Sequence, residues 1–261
     1  MRLRSLLSAA NRTLLSSLHR RMIPLGDRGP IVSFGFDDFP RSAYHVAGAI
    51  LESFGARGTY YTAPGLMNLS NGLGDICTVD DLHSLLAKGH ELGTQTFRHS
   101  SCRETSLADF EEDVRHGIQE TERLTGHRPQ GFAYPYGHVT IRAKKALNDL
   151  ASVRSIFPGI NGPEVDLNLL LANRIYGDLD GVQPLLDLIA ENVRQRGWLI
   201  FYTHDVRPNP SEYGCTVALF DKVVSESVSR GSRIRTIEQV LSEISAGTSP
   251  QSAEVAQEQH R

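Results

Sequence analysis

The chain has 261 residues, 40% of them hydrophobic and 22% charged, with a formal net charge of -3. Such a composition is enough to bury a full core in one α/β domain, and the mild negative charge argues against a general nucleic-acid binder. Cys77, Cys102 and Cys215 lie far apart with no metal-type spacing, which fits reduced thiols in a cytoplasm better than a disulfide framework; no apolar run approaches transmembrane length.

Residues 1–25 form a basic segment with Arg2, Arg4, Arg12, Arg20 and Arg21. Asn11, Arg12 and Thr13 interrupt its apolar pieces, so it does not read as a secretory signal. Leu7, Leu14, Leu15 and Leu18 can share one helix face. The expectation is a helix packed on the domain; the sharper alternative is a weak contact with a membrane surface, which would make a cytoplasmic protein membrane-associated. Ile31–Phe36 is an apolar run that reads as a buried strand, closed by Asp37, Asp38 and Pro40. Ser42 can cap a helix that ends at Gly55, and residues 58–62 are strand-like. Residues 68–75 read as loop. Thr78 and Asp81 resemble a capping box opening a helix to Gly89, and residues 90–96 form a third strand. Ser106 opens a helix with Phe110, Val114, Ile118 and Leu124 on one face, ended by Gly126. Residues 131–134 are a fourth strand, cut by Pro135-Tyr136-Gly137; a helix over 140–150 and a strand over 152–156 follow. Residues 158–166 are a Gly/Pro-rich loop, and 170–176 a sixth strand. A helix over 182–193, the strongly apolar strand Trp198–Tyr202, a helix over 217–228, a short strand ending at Ile234 and a last helix over 236–244 complete residues 26–246 as one domain. Residues 247–261 are Ser/Gln/Glu-rich and read as a disordered tail.

Strands alternating with helices, without repeat or linker, predict a parallel α/β fold, and about eight units favour a barrel over an open sheet. In barrels the chemistry gathers where the strands end. Here those positions hold Asp37-Asp38, Gln95 with His99, Tyr134-Pro135-Tyr136-Gly137, Arg154, Asp178 and His204-Asp205. Carboxylates and histidines converging on one rim suit a metal or a general acid and base.

These residues carry a resemblance. Phe36-Asp37-Asp38, then Gly89-His90-Glu91-Leu92-Gly93 with Thr96-Phe97-Arg98-His99, then Phe132-Ala133-Tyr134-Pro135-Tyr136-Gly137, then Phe201-Tyr202-Thr203-His204 stand in order along residues 31–244. Together they resemble the motifs of the polysaccharide deacetylases of the NodB-homology type, carbohydrate esterase family four. The resemblance implies a distorted or incomplete (β/α) barrel and hydrolysis of N-acetyl groups on an amino-sugar glycan. It implies Asp37 as general base, His204 as general acid, the Tyr136 backbone N–H as oxyanion donor, and Asp38 and His99 as ligands of a divalent metal, zinc first among them. The expected partner is an N-acetylated carbohydrate, with no nucleic acid, and the loops at 68–75 and 158–166 are expected to shape its cleft.

The chain also departs from that pattern. Gln95 stands where the family's His-x-x-x-His motif has its first histidine. Gln95 can ligate through its amide oxygen, a water can take its place, or the site can be metal-free and the protein a catalytically impaired carbohydrate-binding relative. Ala133 replaces an arginine that orients the base in many members. Arg154 can reach the same rim and replace it, with Arg174 as a weaker candidate and an ordinary strand-end ion pair as the alternative for both. Asp178 can tune His204 or simply sit in a turn, and the turn is favoured. Tyr60, Tyr61, Tyr134 and Tyr213 are candidates for stacking on sugar rings. A metal-free glycosidase using Asp37 and Asp38 is the remaining rival, disfavoured because neighbours on a strand face opposite ways.

Overall fold

A computed structural model describes residues 13–247. Residues 13–17 are helical, and β1 (Met22–Pro24) follows. β2 (Ile31–Phe36) is buried along its whole length, as expected of an apolar run in the middle of a parallel sheet. A wide helical turn, Ala43–Gly48, leads into α1 (Ala49–Ser53), then β3 (Thr59–Thr62), the hairpin β4 (Ser70–Asn71) and β5 (Gly74–Asp75), and α2 (Val79–Ala87). β6 (Glu91–Thr94), α3 (Leu107–Thr125), β7 (Gly131–Ala133), α4 (Ile141–Ala146), β8 (Ser152–Arg154), β9 (Glu164–Asp166) and β10 (Asn173–Arg174) come next. α5 (Gln183–Gln195), β11 (Trp198–Thr203), α6 (Val217–Ser229), β12 (Arg233–Ile234) and α7 (Ile237–Gly247) end the described chain.

The helices begin where side-chain oxygens can satisfy their free N–H groups. Thr78 and Asp81 form the full capping box of α2. Ser106, Thr140 and Thr216 cap α3, α4 and α6, and Gly126 ends α3 in the left-handed conformation. α4 is shorter than the expected 140–150, because the chain turns at Asn148-Asp149, residue types that favour turns.

The main sheet is parallel, in the order β10-β11-β2-β3-β6-β7-β8. β11 runs beside all six residues of β2. The other edge of β2 is shared: β12 pairs with Ile31 and Val32, and β3 with Gly35 and Phe36. The expected sixth strand shrinks to β10, because residues 170–175 are divided between two neighbours. Leu170 donates to Val153 O at 2.9 Å and accepts from Ser155 N at 2.9 Å, whereas Ile175 N donates to Tyr202 O at 2.8 Å. The sheet therefore curls toward closure between β8 and β11 without a regular strand there, giving an incomplete barrel.

The largest apolar cluster fills one side of the sheet, with Phe34 between Phe201 and Phe220 and with Phe36 stacked on Tyr60 at 4.5 Å. Trp198 is buried, as expected, in a second cluster with Ile31, Ile237 and Val240. Leu15 joins a third cluster with Phe110 and Phe132, while Leu14 and Leu18 are exposed. Lys144 Nζ donates to Leu15 O at 3.0 Å and pairs with Asp166 at 2.7 Å, so this part of the N-terminal segment packs on the domain. Residues 1–12 and the expected tail at 248–261 lie outside the described residues. Both stretches read as loops contain short strands: β4 and β5 pair with each other, and β9 pairs antiparallel with β1. Among the described residues no helix is long and apolar enough to cross a membrane.

Candidate active site at the C-terminal ends of the strands

A cleft of about 620 Å³ opens where the parallel strands end, and Asp37, Asp38, Gln95, His99, Tyr136 and His204 all line it. Asp37 N–H still follows the sheet ladder, donating to Thr203 O at 2.9 Å. Asp38 and Phe39 then take φ of 59° and 46°, so the chain leaves the strand and the two acids are not strand neighbours on opposite faces. This removes the geometric objection raised against a paired role for them. Positive φ recurs at Thr96 (67°), His99 (59°) and Tyr136 (57°). For a β-branched residue such as Thr96 this is a true outlier, and such strain gathers at functional sites because the surroundings must enforce it.

Asp37 is 4% exposed and Arg154, from the end of β8, is 1% exposed. Arg154 Nη2 meets Asp37 Oδ1 in a very short ion pair. The guanidinium lies between the rings of Tyr61 and Tyr202, 5.0 and 5.1 Å from their centroids. Burial opposes the arginine's charge, but Asp37 together with Tyr61 and Tyr202 outweighs it and raises the pKa. Arg174, the weaker candidate, is exposed and lies over Tyr176 instead.

Asp38 is tied to two residues from the other side of the cleft. Its N–H donates to Gln95 Oε1 at 2.9 Å, and its Oδ1 lies 3.0 Å from His99 Nε2. Burial pushes the Asp38 carboxyl up, but the contact with His99 and the charges of His99, His204 and Arg154 outweigh it and hold the pKa below the usual value. His99 packs edge-on against Tyr136 at 4.6 Å.

His204 follows β11, and its Nδ1 lies 3.1 Å from the backbone oxygen of Tyr213. A carbonyl can only accept, so Nδ1 carries the proton and Nε2 is the nitrogen left for the cleft. Asp178 does not serve His204: it accepts from Asp180 N at 3.1 Å in its own turn, as the turn reading expected. Of the candidate stacking rings, Tyr60 and Tyr61 are fully buried in the sheet and cannot stack on a ligand. Tyr134 and Tyr213 line the cleft.

Residues 26–153 match the family model described as Polysaccharide deacetylase. Over that stretch, about half of its length, the chain is similar to the polysaccharide deacetylase family. A chitin deacetylase of Colletotrichum lindemuthianum is 27% identical over 134 residues, 49% of this chain and 52% of that protein, so the chain spans about half the length of this curated relative. A putative polysaccharide deacetylase of Mycobacterium smegmatis superposes with a TM-score of 0.58 at 17% identity, over 85% of this chain and 92% of that one. A mutant of a CE4 family pseudoenzyme, described as having restored enzymatic activity, superposes with a TM-score of 0.52 at 13% identity, over 82% and 68%. At these identities the two structures speak to the fold alone.

Within this deacetylase frame, the donor chemistry for a divalent cation is present in part. Asp38 Oδ1 is buried and receives no well-aligned hydrogen bond, since its contact with His99 Nε2 is an ion-pair approach only. A carboxylate oxygen left bare beside an imidazole nitrogen suits a cation bound to both. No group of three His, Cys, Asp or Glu side chains forms a ligand set among the described residues, and Gln95 Oε1 already accepts from Asp38 N. Sequence reasoning expected Tyr213 and the loops at 68–75 and 158–166 at the cleft; it missed Tyr176, Tyr202, Ser211 and Glu212, and 158–166 is not part of the lining. Tyr176, Tyr202 and residues 211–213 line the cleft, as does the 71–73 tip of the β4–β5 hairpin. Arg207 Nη2 donates to Gly72 O at 2.9 Å and ties that hairpin to the loop after β11. An arginine six residues before an exposed tyrosine carries no signal of such a tie.

Proposed function

We propose that the chain hydrolyses N-acetyl groups on an amino-sugar glycan. The observation that carries this reading is the meeting of Asp37, Asp38, His99 and His204 in one cleft at the ends of parallel strands. Asp37, ion-paired with Arg154, accepts a proton from the attacking water. The water oxygen adds to the acetyl carbon, and the backbone N–H of Tyr136, at the cleft wall, is the donor for the oxygen that becomes negative. The carbon–nitrogen bond then breaks, and the leaving nitrogen takes its proton from His204 Nε2. A divalent cation, zinc being the first choice, would polarise the acetyl carbonyl and acidify the water when bound by Asp38 and His99. Gln95 supports Asp38 through the Asp38 backbone N–H, and with the cation bound a water would take the place of the missing histidine ligand.

The second reading is a carbohydrate-binding relative without catalysis. The incomplete set of side-chain ligands among the described residues favours it. Metal analysis of the purified chain, together with acetate release from chitooligosaccharides, separates the two. Bound divalent metal with acetate release supports the hydrolase. A metal-free, silent protein in which Gln95→His restores both metal and acetate release establishes the second reading.

A further inference from the structure

We propose that Asp205 is a positioning residue for His204, holding its imidazole in the Nδ1–H form with Nε2 free for the cleft. The proposal rests on His204 being the acid of the reaction described above. Asp205 is next to His204 in the chain and is completely buried, yet its carboxylate is engaged elsewhere. It accepts from Ser211 N at 2.8 Å and, in a very short bond, from Ser211 Oγ, and it pairs with Arg207 Nε at 2.7 Å. Its backbone oxygen accepts from Cys215 N at 2.9 Å. A buried carboxylate so fully satisfied acts as a staple: residues 206–214 are folded onto it. At Gly214 the approach is so close that a Cβ would lie 2.4 Å from both Asp205 O and Asp205 Oδ1.

The product of this folding is the placement of one carbonyl. Tyr213 O accepts from His204 N at 3.2 Å, from His204 Nδ1 at 3.1 Å and from Thr203 Oγ1 at 3.4 Å. A carbonyl has no proton to exchange and no other tautomer to offer. It therefore fixes which ring nitrogen holds the permanent proton and leaves the other to carry the transferred one. When the leaving amine takes the Nε2 proton, His204 returns to the neutral Nδ1–H form with this hydrogen bond unchanged. A strand-end histidine without the loop would be free to rotate and to place its single proton on either nitrogen.

The test uses the full chain with ¹⁵N-labelled histidine. Ring nitrogen shifts of neutral His204 are read for the wild type, Ser211→Ala and Asp205→Asn, alongside kcat and KM for acetate release. The expected result is an Nδ1–H wild type and a mixture of tautomers in both variants, with kcat reduced by about 10- to 100-fold and KM nearly unchanged. Ser211→Ala removes a single hydroxyl and decides the matter if Asp205→Asn does not fold. An Nε2–H wild type, or folded variants that keep the Nδ1–H form, overturns the proposal, because a merely structural role lowers the melting temperature without moving the tautomer. If the tautomer moves as expected but the wild type releases no acetate, the deacetylase reading fails and the positioning role stands.

Discussion

Replacing Arg154 with methionine measures how strongly Asp37 depends on its buried partner. The pair is nearly dry, with side-chain exposures of 1% for Arg154 and 6% for Asp37. Methionine matches the arginine stem in length, so the change removes charge with little loss of volume. Taking one partner from a buried pair leaves a desolvated charge behind, at a cost of about 3–5 kcal/mol. The stacked contacts with Tyr61 and Tyr202 add about 1 kcal/mol each. The expected loss is therefore about 5–7 kcal/mol, a large share of the roughly 5–15 kcal/mol that holds a domain folded. Urea denaturation at pH 7 of the wild type, Arg154→Met, Asp37→Asn and the double variant completes a cycle. Asp37→Asn/Arg154→Met buries no net charge and should be more stable than Arg154→Met by about 2 kcal/mol or more. An Arg154→Met loss below about 1 kcal/mol, or a double variant no more stable than Arg154→Met, refutes the account of a carboxylate held by one arginine.

Two further predictions concern the frame around the cleft. Burial raises the Glu91 carboxyl to about 7 against its accepted bonds from Thr59 and Glu238, so the folded protein binds this proton more tightly than the unfolded chain. The associated stability is fully present below about 4.5, the ordinary value, and is lost as pH rises through 7. Urea midpoints taken across pH 5–8 should fall for the wild type and stay flatter for Glu91→Gln; parallel curves would show that Glu91 does not titrate there. Gly117 of α3 faces the chain that leads to His99, and a Cβ there would lie 2.6 Å from Thr96 C and 2.8 Å from Phe97 N. Gly117→Ala should lower stability by about 1–3 kcal/mol and also weaken divalent-metal binding, because backbone must move beside His99. A variant with unchanged melting temperature and metal titration would show that the 96–99 turn yields freely.

The incomplete barrel and the meeting of Asp37, Asp38, His99 and His204 were legible because each depends on a local signal. The apolar strands have turn residues after them; Asp37, Asp38 and His204 sit one or two positions beyond, and His99 five. Arg154 was legible for the same reason, at the end of β8. What escaped was carried by backbone atoms and by distant chain. No residue type announces that Tyr213 will offer its carbonyl to His204, or that Gln95 will accept from Asp38 N–H. The 68–75 loop was expected at the cleft, but its β4–β5 hairpin has only two residues per strand, too short for an alternating pattern, and its tie to Arg207 spans 135 positions. Tyr61 looked available for a sugar because its strand position was clear and its face was not; the structure spends that ring on Arg154.

The shared edge of β2 also bears on how the protein comes into being. Its lower half is paired on that side by β12, at residues 233–234, and its whole opposite side by β11, at residues 198–203. A nascent chain that has left the ribosome only as far as α5 holds Asp37 on a strand with β3 as its one neighbour, and that along two residues. Pairing over such sequence distance is slow to form and leaves apolar strand edges open meanwhile. The residue that would serve as base is thus made well before the strands that enclose it, and β11 and β12 must both be translated before the cleft can exist.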